Sequence, residues 1–123
     1  MIGYVTLGVA DMDRAKTFYT ELLADLGATM QADMGRIAMI GKSMDQPMIA
    51  VCVPYDESDP QPGNGNMVAI NPGSKEAVDA LYEKAIALGA TCDGKPGQRI
   101  PDVFYGAYIR DLDGNKIAFF QFG

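Results

Sequence analysis

The sequence predicts an α+β fold made of two βαβββ modules, with the helices packed on one face of each sheet. One observation is an internal repeat, because Asp13–Met30 and Lys75–Cys92 align at an offset of half the 123-residue chain. A second is the pattern within each half, which runs from an alternating strand to an amphipathic helix, a glycine and further strands. Two copies of so long a period favour one domain of two similar modules over an open repeat array.

The first module begins with a strand at Ile2–Val9, where apolar and polar side chains alternate. Asp11 is the predicted N-cap of the helix that follows, and Gly27 stands where a left-handed residue ends such a helix. The remaining strands of this module are predicted at about Ala28–Asp33, Arg36–Gly41 and Pro47–Val53.

The second module repeats this order, with Ser74 as the predicted N-cap of its helix and Gly89 at the helix end. Asp-Leu-Asp-Gly-Asn at 111–115 predicts a hairpin turn that pairs Arg110 with Lys116. The strands are predicted at Asn66–Asn71, Ala90–Asp93, Phe104–Arg110 and Lys116–Phe122, with a loop at Gly94–Asp102.

We expect one domain over residues 1–123, with module one at about 1–60 and module two at about 61–123. The sheet face opposite the helices is also partly apolar, so it too must be covered. The simplest arrangement is a curved, cup-like mixed sheet with the helices on its outer face and a lined cavity inside. The functional site is then expected where the modules meet.

The composition is that of an ordinary globular domain, with 48% hydrophobic and 21% charged residues. A net charge of -6 and scattered basic residues argue against nucleic acid or anionic membranes as partners. Cys52 and Cys92 are interpreted as reduced core thiols of a cytoplasmic protein, since no signal peptide or membrane-length apolar run is found. The chain has no histidine, which excludes a histidine-dependent triad and histidine-ligated zinc.

Three stretches carry a resemblance to a known family: Tyr4–Ala15, Gly63–Ala69, and Gly94–Arg99 followed by Arg110–Asn115. In these stretches the chain resembles the vicinal oxygen chelate superfamily, which includes glyoxalase I, bleomycin- and fosfomycin-resistance proteins and extradiol dioxygenases. The likeness covers almost the whole chain in order. It is specific for the fold and leaves the reaction open.

The resemblance implies where metal ligands would lie in a metalloenzyme of this family. The first-strand histidine position falls at Tyr4, its counterpart in the second module at Met67, and the closing carboxylate at Ala118. The internal repeat makes Ile49 the partner of Ala118. Methionine and alanine cannot hold a hard or borderline ion, so we expect no metal in the cavity and no cofactor.

Residue parity along the strands predicts what lines the cavity. If Tyr4 faces inward so does Thr6, and pairing of Arg110 with Lys116 places Tyr108 opposite Ala118 on the same side. A mostly apolar lining with two phenols suits a flat or aromatic small molecule. The predicted ligand-binding residues are Tyr4, Thr6, Met39, Ile49, Met67, Tyr108, Ala118 and Phe120, with Ala69 and Val51 nearby.

Three functions are compatible with this reading. The first is a glyoxalase/bleomycin-resistance-like protein that binds a small apolar or aromatic molecule without a metal. The second is a glyoxalase- or lyase-like metalloenzyme with a reorganised or partner-completed metal site. Whether the protein is an enzyme is therefore left open; if it is one, we expect a lyase- or dioxygenase-like activity. The third is a structural or regulatory dimer with a filled cavity. The resemblance also implies a homodimer.

Overall fold

The computed structural model describes all 123 residues, and they divide into two compact units, Met1–Gln61 and Pro62–Gly123. The division lies one residue beyond the boundary expected between the two modules. Each unit contains one four-stranded sheet and one α-helix.

The first unit is a βαβββ module. Its elements are β1 (Tyr4–Gly8), α1 (Met12–Leu22), β2 (Thr29–Asp33), β3 (Ile37–Gly41) and β4 (Met48–Cys52). Its sheet has the order β1-β4-β3-β2, in which β1 is parallel to β4 and the other neighbours are antiparallel.

The second unit has the same element order: β5 (Val68–Ile70), α2 (Lys75–Ala87), β6 (Thr91–Ile100), β7 (Phe104–Arg110) and β8 (Lys116–Phe122). Its sheet has the equivalent order, β5-β8-β7-β6, again with one parallel pair, β5 with β8. The predicted α+β fold of two βαβββ modules is therefore confirmed.

Both helices begin where the sequence predicts. The Asp11 carboxylate accepts a hydrogen bond from the backbone N–H of Arg14, and the Ser74 hydroxyl accepts one from Ala77, which satisfies amides that a helix start leaves unpaired. The α1 helix ends at Leu22, and a 3-10 turn, Ala24–Leu26, leads to Gly27 with φ at 81°. That positive φ is the reason for a glycine at this position.

One face of each sheet packs on its helix, and we call it the helix face. Its side chains form the apolar core, and nearly all are fully buried. In the first unit they include Leu7, Ala38, Ile40, Ile49 and Val51, and in the second Ala107, Ile109, Ile117 and Phe119. The opposite side of each sheet is called the helix-free face.

Two predictions need correction. The predicted loop Gly94–Asp102 is mostly strand, because β6 runs on to Ile100 with register shifts around Gly94, Gly97 and Gln98 that accommodate its glycines and Pro96. Cys92 is exposed rather than in the core, since β6 is the outermost strand of its sheet; both cysteines are free thiols. None of the helices has the length and hydrophobicity needed to cross a membrane.

Candidate functional site

The strand register shows which predicted site residues share a face in the first unit. Thr6 and Met39 both pair with Ala50, so these side chains project from the same side of the sheet. Tyr4 precedes Thr6 by two residues and lies on that side too. Ile49 pairs with Val5 and Ile40, which places Ile49 on the helix face.

The assignment of Ile49 to the lining is therefore wrong by one residue. In the first unit Val5 pairs with Ile49, and in the second Val68 pairs with Ile117. Ile49 is thus the counterpart of Ile117, and Ala50 is the counterpart of Ala118. The nearby Val51 shares the parity of Ile49 and also faces α1.

In the second unit the predicted register is confirmed. Arg110 pairs with Lys116 and Tyr108 pairs with Ala118, as the hairpin turn requires. Ala69 also pairs with Ala118, and Phe120 lies two residues beyond Ala118 on β8. Met67 lies just before β5, two residues before Ala69, and lines the same cleft as Lys116. Met67, Tyr108, Ala118 and Phe120 all lie on the helix-free face.

Access differs among these residues. Tyr4 is 49% exposed and Met67 is 45% exposed, and Thr6 is exposed as well. Met39, Tyr108 and Phe120 are half-buried. Ala118 has no exposed surface, so its side chain is not accessible to a ligand on this face.

The sequence resemblance implies metal-ligand positions that, with the register corrected, hold Tyr4, Ala50, Met67 and Ala118. Three of these four side chains have no oxygen or nitrogen donor, and both alanines are fully buried. No group of three or more histidine, cysteine, aspartate or glutamate side chains comes together elsewhere in the chain. This donor set does not fit a divalent ion that must hold two substrate oxygens.

Four aromatic side chains occupy the helix-free face of the second sheet, and we call them the aromatic row. The rings of Phe104 and Phe120 are stacked, with centroids 5.6 Å apart and planes inclined by 2°. Phe122 meets both rings edge-on, at 6.1 and 5.0 Å, and remains 65% exposed. Tyr108 is the fourth member, on the same face of β7.

Two cations lie close to the Tyr108 ring. The guanidinium carbon of Arg99 lies 5.3 Å from the ring centroid, and Lys116 Nζ lies 5.2 Å from it. A glycine opposite leaves room for this ring, since a Cβ on Gly94 would come within 2.7 Å of Tyr108 Cδ2. Gly106 does the same for Phe104, whose Cε1 would be 2.6 Å from an added Cβ.

A cleft of about 520 Å³ lies at the end of the second sheet where β5 and β8 begin. We call it the cationic cleft; its walls are the loop Pro62–Met67 and the side chains of Arg110 and Lys116. The Asp93 carboxylate contacts both cations, at 3.1 Å from Arg110 Nε and 3.3 Å from Lys116 Nζ. Lys116, and to a smaller extent Arg110, hold the pKa of Asp93 below its usual value.

Phe104, Phe122, Arg110 and Lys116 are not among the site residues predicted from the sequence. The parity that placed Tyr108 and Phe120 on one face also places these four there, because each is two or four residues away on the same strand. That signal was present in the sequence. The cleft was not predictable, because it depends on the path of the loop at 62–67.

Two modules, each with one helix and one mixed sheet, define the protein class: an α+β domain of repeated βαβββ units. Within that class, residues 1–119 match the family described as the Glyoxalase/Bleomycin resistance protein/Dioxygenase superfamily, and the chain belongs to it. A search of functionally curated proteins found no match.

Solved structures agree with this assignment. The chain is similar to a glyoxalase/bleomycin resistance protein from Albidiferax ferrireducens T118, with 31% identity, a TM-score of 0.87, and coverage of 98% of this chain and 97% of that one. It also resembles in fold a glyoxalase/bleomycin resistance protein/dioxygenase family enzyme from Burkholderia phytofirmans PsJN, at 20% identity and a TM-score of 0.78, covering 96% and 95% of the two chains.

Proposed function

We propose that this protein binds a small apolar or aromatic molecule without the help of a metal, on the helix-free face of its second sheet. The aromatic row supports the proposal most directly. Phenylalanine side chains of a soluble domain are usually buried, yet Phe122 is largely exposed and Phe104 and Phe120 are only half-buried.

The row suits a flat ring for a geometric reason. Aromatic rings favour offset-stacked or edge-to-face contacts, each adding about 0.5–1.5 kcal/mol beyond the area buried. Phe120 already makes one contact of each kind with its neighbours. A planar ligand can extend that pattern, while Tyr108 supplies a hydroxyl that can orient a polar group.

The metal-free part of the proposal rests on the donor chemistry at Tyr4, Ala50, Met67 and Ala118. A lyase- or dioxygenase-like reaction of the family type needs firm ligands that these side chains cannot provide. The competing proposal, a metalloenzyme with a reorganised site, requires ligands from elsewhere. Elemental analysis of dialysed protein separates the two, because stoichiometric nickel, zinc, manganese or iron would support the metalloenzyme.

Binding itself is tested with 2-naphthol, whose fluorescence can be followed because the chain has no tryptophan. We expect saturable binding that survives treatment with a chelator. Phe120→Leu should weaken it about three- to tenfold, since it removes one stacking partner. Tyr55→Leu is the matched control, because Tyr55 is an aromatic side chain that is 89% exposed in the other unit. Equal affinity in both variants would contradict the assigned face.

We also propose that the protein is a homodimer, which is the state implied by the sequence resemblance. Analytical ultracentrifugation tests this directly. A sedimenting species of about 13.2 kDa, the mass of one chain, would contradict it.

A further inference from the structure

We infer that the ligand is an aromatic carboxylic acid, whose carboxylate binds in the cationic cleft while its ring contacts the aromatic row. This inference rests on the proposed function, because it adds a charged group to the same ligand. It follows from the position of Lys116, which forms part of the cleft wall and also lies against the Tyr108 ring.

The cleft carries a local positive charge in an acidic protein. Arg110 and Lys116 contribute two positive charges and Asp93 contributes one negative charge, so the group has a net charge of about +1. The chain as a whole carries -6. A single carboxylate therefore balances the group, whereas a dianion would leave an excess of negative charge beside Asp93.

The two cations retain hydrogen-bond capacity. Arg110 donates Nε–H to Asp93 and one Nη1–H to the Gly114 carbonyl at 3.1 Å, which leaves the outer edge of the guanidinium for another acceptor. These two contacts also fix the guanidinium in one orientation, so little side-chain entropy is lost when an anion binds. Lys116 is fixed by Asp93 and by the Tyr108 ring in the same way.

The carboxylate of Asp111, in the hairpin between β7 and β8, makes its contacts within the turn. Asp111 accepts hydrogen bonds from the backbone N–H groups of Asp113 and Asn115 and from the Asn115 side chain, at 2.9 to 3.0 Å. It closes the turn between β7 and β8, on the opposite parity from Arg110. Its carboxylate oxygens thus accept hydrogen bonds from groups of the turn.

The middle of the loop wall of the cleft is built from glycine and asparagine, at positions 63–66. Gly65 has φ at 85°, a backbone conformation that favours glycine, and a Cβ on Gly63 would lie 2.1 Å from Asn66 Nδ2. Exposed backbone and the amide side chains of Asn64 and Asn66 add polar groups to the wall. Such a polar wall suits the charged end of a ligand.

The length of the ligand follows from strand geometry. Lys116 and Ala118 are about 7 Å apart along β8, and Tyr108 lies opposite Ala118. A ring joined to a carboxylate by a short linker spans this distance. The probe is therefore 3-phenylpropionate, and its uncharged match is 3-phenylpropan-1-ol, which has the same ring and linker.

NMR titration of the full-length protein with the two probes tests the inference. The acid should bind about tenfold more tightly than the alcohol, because a charge-assisted hydrogen bond is made only by the acid. Only the acid should shift the backbone amide signals of Gly63, Asn64 and Gly65. Lys116→Gln should remove most of this preference, because Asp93 then neutralises the remaining Arg110. Lys42→Gln, which changes an exposed lysine of the other unit, should preserve the tenfold preference.

The outcomes are distinct. Equal binding of acid and alcohol by the unmodified protein, or an undiminished preference in Lys116→Gln, overturns the carboxylate assignment and leaves the proposed function intact. Failure of both probes to bind contradicts both proposals. A second measurement does not depend on how Lys116→Gln folds: in 1 M salt the preference of the unmodified protein should decrease, and a salt-independent preference overturns the inference.

Discussion

The helix-free faces of the two units have the same backbone pattern and different chemistry. The register equates Met39 with Tyr108, Met48 with Lys116, and Ala50 with Ala118. The first face therefore has two thioethers where the second has a phenol and an ammonium group, and both have a methyl group at the third position. The duplicated fold supplies equivalent positions, and the side chains there make the second unit the better candidate for ligand recognition.

The helix faces differ much less, since both are filled with buried aliphatic or aromatic side chains. This contrast suggests that the core defines the fold in both units, whereas the helix-free faces have diverged in function. The following predictions test whether that separation between the faces holds.

The largest effect is expected from the core. Phe119→Ala removes a fully buried ring from the helix face and should lower the free energy of unfolding by about 3–5 kcal/mol. Phe122→Ala removes an exposed ring from the other face and should cost about 1 kcal/mol. Urea denaturation measures both. Similar losses would mean that the aromatic row belongs to the core.

A smaller effect is expected from filling the space beside the aromatic row. Gly106→Ala places a methyl group against the Phe104 ring, so it should destabilise the protein by about 1–3 kcal/mol and separate the Phe104–Phe120 stack. Thermal unfolding and the ring proton shifts of Phe120 report the two effects. The control is Gly3→Ala, where an added Cβ meets nothing within 4 Å. Equal melting temperatures for the two variants would contradict the packing argument.

Making the second face resemble the first should reduce recognition more than stability. Lys116→Met introduces the residue type of its counterpart Met48, and should weaken 3-phenylpropionate binding about tenfold. The free energy of unfolding should change by about 0.5 kcal/mol, because the lysine is partly exposed. Calorimetric titration and urea denaturation measure the two quantities. A large stability loss with unchanged binding would assign Lys116 a structural role only.

The smallest effect concerns acid pH and distinguishes two aspartates. The pKa of Asp33 is lowered first by the backbone N–H of Gly35 and then by Lys16, whereas the pKa of Asp93 is lowered first by Lys116. Lowered pKa values contribute stability that is present above the ordinary value of 3.8 and is lost as the pH falls through the folded-state pKa. Carboxyl-carbon NMR titrations follow each group.

Removing the lysines should then have unequal consequences. With Lys116→Met most of the shift in the pKa of Asp93 should disappear, while with Lys16→Met the pKa of Asp33 should remain low because the Gly35 contact persists. Asp93→Asn should also flatten the fall in stability below pH 4, relative to the unmodified protein. If both pKa shifts disappear when the lysine is removed, the ion pair, rather than the backbone contact, is the main cause of each shift.

Much of this fold was predictable because local patterns agree with the tertiary structure. Asp11 and Ser74 are helix caps with short polar side chains, and the Asp-Gly-Asn turn fixes the register of β7 and β8. The site was less accessible to sequence reasoning. Ile49 was misplaced because a one-residue error in aligning the repeat moves a strand side chain to the other face.

The β6 strand was missed for a different reason. Its sequence, with Gly94, Pro96 and Gly97, has the composition of a loop. Its pairing with β7 also depends on register shifts that cannot be predicted from the local sequence. The cationic cleft was not predictable because Arg110 and Lys116 are distant in the sequence from the loop at 62–67. Only the folded sheet brings these residues together.

The irregular β6 strand has a consequence for solubility. It is the outermost strand of its sheet in the order β5-β8-β7-β6, and such a strand can template the addition of an extended segment from another molecule. The proline, the register shifts, and the exposed charges of Lys95 and Arg99 all disfavour continuous pairing along this edge. The features that give β6 the sequence of a loop therefore also protect the protein against aggregation through this strand.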